Sequence, residues 1–154
     1  MDLVEAGADD VALLADMWYS LAASMEQHSE LNGLAEGVRD GARDGFERHL
    51  EREDITIYLV ESGGATVGYV LLEASEHPSR ELPRYLRIVD LFVEEDHRDQ
   101  GIGSEAIEAV KGIASDRDVD VLTVSCEWEN HGARQLYAEH GFEEKQVKFA
   151  QTIE

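Results

Sequence analysis

The chain has 154 residues, 43% of them hydrophobic, which suits one domain (1–154) with a proper core and excludes global disorder. It carries 34 acids against 13 lysines and arginines, a formal charge of −21, which argues against a basic face for nucleic acid or an anionic membrane. One cysteine, Cys126, excludes an intrachain disulfide and fits a reducing cytoplasm. No apolar run reaches the roughly 18 residues that a membrane helix needs, and the acidic N-terminus shows no signal-peptide pattern. The acids are spread along the chain rather than gathered in a tail. That spread reads as whole-surface adaptation to high salt, as in halophilic proteins; a funnel for a cationic substrate is the alternative.

Leu3-Val4 is expected to form a short first strand, and Asp9 and Asp10 to cap a helix. Val11, Leu14, Trp18, Leu21 and Met25 then fall at steps of three and four and make one apolar stripe. A polar break, Glu26 to Glu30, leads to Asn32-Gly33. Val38, Ala42, Phe46 and Leu50 step by four along a second amphipathic helix. Ile55–Glu61 and Ala65–Ala74 are strand-like runs joined at Gly63-Gly64, a strong hairpin signal. Pro78 and Pro83 mark a loop, and Arg84 to Val93 forms the third strand of an antiparallel meander. A helix carrying Ile102, Ala106, Val110, Ile113 and Ala114 follows, then a strand at Val119–Ser125, expected to lie parallel to the preceding one because a helix connects them. Asn130 opens a last helix ended by Gly141, and Phe142 to Ile153 is expected to be a terminal strand or a tight hairpin. The order β–α–α–β–β–β–α–β–α–β predicts an α/β (α+β) fold, a mixed sheet with helices on both faces.

The chemistry concentrates in the stretch from Tyr85 to Ser104. An apolar strand ends at Val93, a charged turn Glu94–Asp99 follows, and Gly101-Ile102-Gly103 opens a helix. Glycines allow close approach to the main chain, and the first N–H groups of a helix lack intrahelical partners, so this geometry holds a phosphate or pyrophosphate. Gly101-x-Gly103-x-x-Ala106 matches a dinucleotide fingerprint formally, but seven residues separate Val93 from Gly101, where that fingerprint needs its glycines directly after the strand. A Walker loop is excluded because no Gly-Lys-Ser/Thr occurs.

Arg98-x-x-Gly101-x-Gly103 after the strand, with Asn130-x-x-Ala133-x-x-x-Tyr137 and Gly141-Phe142 later, resembles the GNAT superfamily of acyl-CoA-dependent N-acetyltransferases. The resemblance spans nearly the whole chain in element order. It implies a mostly antiparallel central sheet flanked by helices, with two parallel strands splayed apart to form the coenzyme A cleft. It implies that Arg98, Asp99, Gln100, Gly101, Ile102, Gly103 and Ser104 cradle the pyrophosphate, with Asn130, Ala133 and Tyr137 beside the cofactor. Main-chain groups of Leu91, Phe92 and Val93 would hold the pantetheine arm and the acetyl carbonyl. Acetyl-CoA would be the co-substrate, with no metal, and a small-molecule or peptide amine would attack it directly. Tyr137 would protonate the departing thiolate; as a purely structural residue it would be a core aromatic. Homodimers are common in this fold.

Val89-Asp90-Leu91-Phe92-Val93 and Glu127-Trp128-Glu129-Asn130 bear some resemblance to the diamine and polyamine branch. That branch commonly carries a Glu-Asp pair, and here Val89 stands where the glutamate would be. Arg87 stands where other members place a basic catalyst. Asp90 is therefore the candidate general base, directly or through water; alternatively it is a structural carboxylate that accepts backbone N–H groups or pairs with Arg87. Glu26, His28 and Glu127 are the candidate acceptor-binding residues. Cys126 is expected to be a buried, inert thiol. A competing reading is a non-catalytic acyl-CoA-binding module of the same fold; a weaker one is a Rossmann-type nucleotide protein.

Overall fold

The computed structural model describes residues 1–154. In chain order the elements are β1 (Asp2–Glu5), α1 (Val11–Met25), α2 (Val38–Glu51), β2 (Ile55–Ser62), β3 (Ala65–Glu76), β4 (Arg84–Val93), α3 (Ile102–Asp116), β5 (Val121–Val124) and α4 (His131–Glu139). Single 3₁₀ turns at Glu26–His28 and Glu30–Asn32 fill the polar break between α1 and α2. The strands form one sheet in the order β1-β2-β3-β4-β5. The first four are antiparallel, and β5 runs parallel to β4. The β2–β3 turn is made by Gly63 (φ 60°) and Gly64 (φ 81°), a pair of left-handed residues that matches the twist of the flanking strands.

The sheet separates two apolar layers. On one face Val11, Leu14 and Met17 of α1 and Phe46 of α2 cover Ile57, Leu59, Tyr69, Leu71 and Phe92. On the other, Ile102, Val110 and Ala114 of α3 cover Val60, Val67, Val70, Leu72, Leu86 and Ile88. Leu21 and Met25 continue the stripe of α1 but are only half-buried; they overhang the sheet and border a cleft.

Strand β4 changes face midway. Leu71 pairs with Asp90 while Leu72 pairs with Ile88, so Val89 is an extra residue, a β-bulge. Before it, Leu86 and Ile88 face α3. Beyond it, Phe92 and Asp90 face Tyr69 on the α1 side. Strict alternation from Ile88 would have turned Asp90 toward α3, so the bulge sets the direction of this carboxylate.

Three expectations need correction. Residues 142–154 form neither a strand nor a hairpin. Strand-like composition is local, but a strand needs a neighbouring edge to pair with, and this segment lies against none. Asp10 does not cap α1; its carboxylate accepts from the Gly7 N–H at 2.9 Å, ahead of the helix. Cys126 is exposed, because β5 ends at Val124 and the chain leaves the sheet there.

Candidate active site

Strands β4 and β5 pair only over Tyr85–Ile88 and Val121–Val124. Beyond Ile88 they have no shared ladder, and a cleft of about 540 Å³ opens between them. Its walls come from β4, the start of α3, the end of β5 and α4, with the end of α1 above.

One end of the cleft is built by the turn after β4. Asp99 (φ 61°) and Gly101 (φ 81°) take left-handed conformations that reverse the chain, and Gly101 is the residue before α3. The first helical bond runs from Glu105 N to Gly101 O at 3.0 Å, so the N–H groups at Ile102, Gly103 and Ser104 have no intrahelical acceptor. The guanidinium of Arg98 is anchored by Nε donating to Val93 O at 2.9 Å and lies 5.9 Å from the Phe92 ring centroid. Arg98, Asp99, Gly101, Ile102, Gly103 and Ser104 all line the cleft. Gln100 does not; its side chain reaches back to Asp96 O at 3.5 Å.

The free strand edge comes next. Glu94 N donates to Val67 O at 2.7 Å. By the two-residue alternation of an antiparallel ladder, Phe92 also turns its main chain toward β3, while Leu91 and Val93 turn theirs toward the cleft. The Phe92 ring is core, 3% exposed. Gly68 of β3 lets β4 approach here: a Cβ at position 68 would stand 2.0 Å from Phe92 O. That requirement was readable only as a glycine interrupting an apolar strand run.

Two ionisable groups face the middle of the cleft. Asp90 lines it, and Oδ2 accepts from the Tyr69 hydroxyl at 2.9 Å. Burial pushes the Asp90 carboxyl above its ordinary range, against the opposing pull of the Tyr69 hydrogen bond and of His49 and Arg87. Tyr69 is fully buried between Phe46 (ring centroids 5.9 Å) and Phe92 (6.2 Å), so its hydroxyl is held in place. Neither a backbone N–H nor a close Arg87 pair is the main partner of Asp90; the partner is a tyrosine that the sequence did not point to. Tyr137 of α4 also lines the cleft, packed edge-on against Phe142 at 5.8 Å. Burial, with Cys126 nearby, pushes its phenol up to about 12, which keeps it protonated at neutral pH.

Asn130 and Ala133 border the cleft through a helix cap: Asn130 Oδ1 accepts from Ala133 N at 3.1 Å. At the far end are His28 and Glu127, with Leu21, Ser24 and Met25. Glu127 is held by Asn32, whose Nδ2 donates to Glu127 Oε1 at 3.1 Å and to Met25 O at 3.0 Å. This link ties the 3₁₀ segment to the loop after β5 across 95 positions of sequence, and no local signal announced it. Glu26 is not among the lining residues; its Oε2 accepts from Leu34 N at 3.3 Å. Cys126 lines the cleft beside Tyr137; the residue is exposed, but partial desolvation on its cleft side pushes the thiol up and keeps it protonated at neutral pH. No cluster of three or more His, Cys, Asp or Glu is arranged to hold a metal. No helix is long and apolar enough to cross a membrane.

The chain matches the profile of the Acetyltransferase (GNAT) family over residues 17–142. It is 28% identical over 144 residues to an uncharacterized N-acetyltransferase of Bacillus subtilis, YhfO, covering 94% of this chain and 91% of that one. A second relative, the uncharacterized N-acetyltransferase MJ1207 of Methanocaldococcus jannaschii, is 30% identical over 102 residues, 66% of this chain and 45% of the relative. Among solved structures, an integron cassette protein from the Cole Harbour Salt Marsh metagenome superposes with a TM-score of 0.75 at 25% identity, over 99% of this chain and 90% of that one. A predicted acetyltransferase of Clostridium acetobutylicum, solved with acetyl-CoA, shares the fold with a TM-score of 0.77 at 14% identity, over 98% and 95%.

Proposed function

The chain belongs to the GNAT acetyltransferase family and is an acyltransferase, and from that premise we propose that it moves an acetyl group from acetyl-CoA to a primary amine by direct attack in a ternary complex. The observation that carries this reading is one cleft lined by Asp90, by Tyr137 and by the turn and helix start from Arg98 to Ser104.

The residues present fit acetyl-CoA. The helix-start N–H groups and Arg98 suit a pyrophosphate. The free main-chain groups of Leu91 and Val93 suit an amide-bearing arm lying alongside β4 as a further strand would. Acetyl-CoA supplies the thioester, the activated acyl group. A main-chain N–H of β4 facing the cleft donates to the acyl oxygen, and one such preorganised donor is worth about 3 kcal/mol.

Asp90 accepts the proton of the attacking amine. A carboxyl raised by burial is a stronger base than an ordinary one, and Tyr69 holds one of its oxygens so that the other can face the acceptor. Tyr137 supplies a proton to the departing thiolate; a phenol that stays protonated across the neutral range is ready to do so. Glu127 and His28 give the acceptor end polar contacts. The carboxylate of Glu127, with Asp90 deeper in the cleft, favours a small-molecule or peptide amine carrying positive charge.

Purified protein mixed with acetyl-CoA and a panel of amines tests the reading through release of free thiol. Turnover with at least one amine is expected, fastest with those bearing a second cationic group. Saturable coenzyme A binding without thiol release from any amine would overturn catalysis in favour of a binding module.

A further inference from the structure

The segment between α1 and α2, Glu26 to Gly37, contains no buried residue, and its Leu31 is 60% exposed. Its side-chain bonds are mostly local: Ser29 Oγ accepts from Leu31 N at 3.2 Å, and Glu26 Oε2 from Leu34 N at 3.3 Å. One hydrogen bond carries the segment beyond the two helices, from Asn32 Nδ2 to Glu127 Oε1 at 3.1 Å. His28 of this segment lines the cleft, and so does Met25 just before it. Asn32 does not line the cleft itself. The polar hold of the segment on the loop after β5 is therefore one amide.

That amide is matched to its place. Glu127 Oε1 and Met25 O are both acceptors, and each takes one hydrogen of the Asn32 NH₂ group, at 3.1 and 3.0 Å. Glu127 is half-buried and lines the cleft, yet it pairs with no cation of the chain. The next arginine in sequence, Arg134, bonds Glu144 Oε1 at 3.0 Å and the Trp128 carbonyl at 3.3 Å instead. A half-buried carboxylate with one oxygen held by a neutral donor and the other free is set for a positive charge from outside. Because its rotamer is already fixed, it loses less freedom when that charge arrives.

We propose that Asn32 is a positioning residue for the acceptor: its amide fixes Glu127 so that the free oxygen, Oε2, binds a second positive charge on the amine. The inference rests on acetyl transfer to an amine, as proposed above. Asn32 touches neither substrate. It acts through Glu127 and through Met25, and so joins the two walls of the far end of the cleft.

Asn32→Leu keeps the branched shape and removes both donors without adding charge. Thiol release from acetyl-CoA is followed with putrescine against butylamine and with cadaverine against pentylamine, each a diamine beside the monoamine of equal chain length. The parent is expected to prefer the diamines. In Asn32→Leu the ratio of kcat/KM, diamine over monoamine, should fall about tenfold, the loss of a bond to a charged group, while KM for acetyl-CoA stays unchanged. Lost stability lowers both amines alike and leaves this ratio where it was, so the ratio separates positioning from folding. Glu127→Gln should lose the same preference, and adding Asn32→Leu to it should change little, because the two residues act as one unit. An unchanged ratio in Asn32→Leu overturns the proposal, and so does a parent without preference for the diamines; thiol release from any amine then still leaves acetyl transfer standing. No thiol release from any amine removes acetyl transfer, and this inference with it.

Discussion

Asp90 and Tyr137 are both half-buried ionisable side chains, and burial acts on them in the same sense with opposite chemical consequences. It makes the carboxyl a better base and keeps the phenol an acid. For Asp90 the folded-state pKa lies above the unfolded one, so the native protein holds the proton more tightly. The stability from this group is complete below the ordinary carboxyl pKa of about 3.9, and is lost as pH rises through the raised value. Asp90→Asn removes that loss. The variant should melt higher than the parent at pH 8, with the difference closing toward about pH 4. An equal or lower melting temperature at pH 8 would show that the Tyr69 hydrogen bond outweighs burial. The same substitution should abolish most turnover, and the acid limb of the parent's pH–rate profile should lie above the ordinary aspartate range. Tyr137→Phe should lower kcat by about 10²-fold and leave KM for acetyl-CoA nearly unchanged, because a proton donor acts on the leaving group rather than on binding. An unchanged kcat would reduce Tyr137 to a core aromatic.

At the scale of elements, the bulge of β4 and the turn after it divide the work. The bulge at Val89 turns Asp90 toward Tyr69, and the same strand then offers the main chain of Leu91 and Val93 to the cleft. β4 can follow this path only because β3 carries no side chain at Gly68. Gly68→Ala meets backbone rather than a flexible side chain and should destabilise the protein by about 1–3 kcal/mol, read from denaturant unfolding. Activity should fall with it, since the strand that moves is the one lining the cleft. The turn is more separable. Arg98→Ala removes an exposed charge held by Val93 O and set near the Phe92 ring, so KM for acetyl-CoA should rise about tenfold with stability nearly unchanged, the loss of one charge-assisted contact. A fall in kcat at constant KM would place Arg98 elsewhere in the reaction.

For the whole molecule, charge dominates. The net charge of −21 is distributed over a surface whose ion pairs are few and largely exposed. Self-repulsion among the acids should therefore set the salt response. Screening shortens the reach of each charge from about 10 Å at 0.1 M salt to about 3 Å at 1 M. The melting temperature should rise over that interval in potassium chloride; a flat or falling curve would mean that ion pairs, not repulsion, control stability.

The turn and helix start at one end of the cleft were legible from the chain alone. Arg98 to Ser104 are contiguous, and left-handed glycine, helix-start donors and a neighbouring cation are properties of adjacent residues. The Gly63-Gly64 hairpin, the helices and β4 were readable for the same reason: hydrophobic period and turn chemistry act within a few residues. The Asp90 environment was not. The bulge depends on which residues of β3 lie alongside, Tyr69 stands 21 positions away, and Asn32 reaches Glu127 across 95. A terminal strand or hairpin was expected over Phe142–Ile153 and does not form, because pairing is a relation between two edges. Residues 142–154 pair with no strand of the sheet. Local geometry follows from neighbours in the chain, whereas partners across the sheet exist only once packing has chosen them.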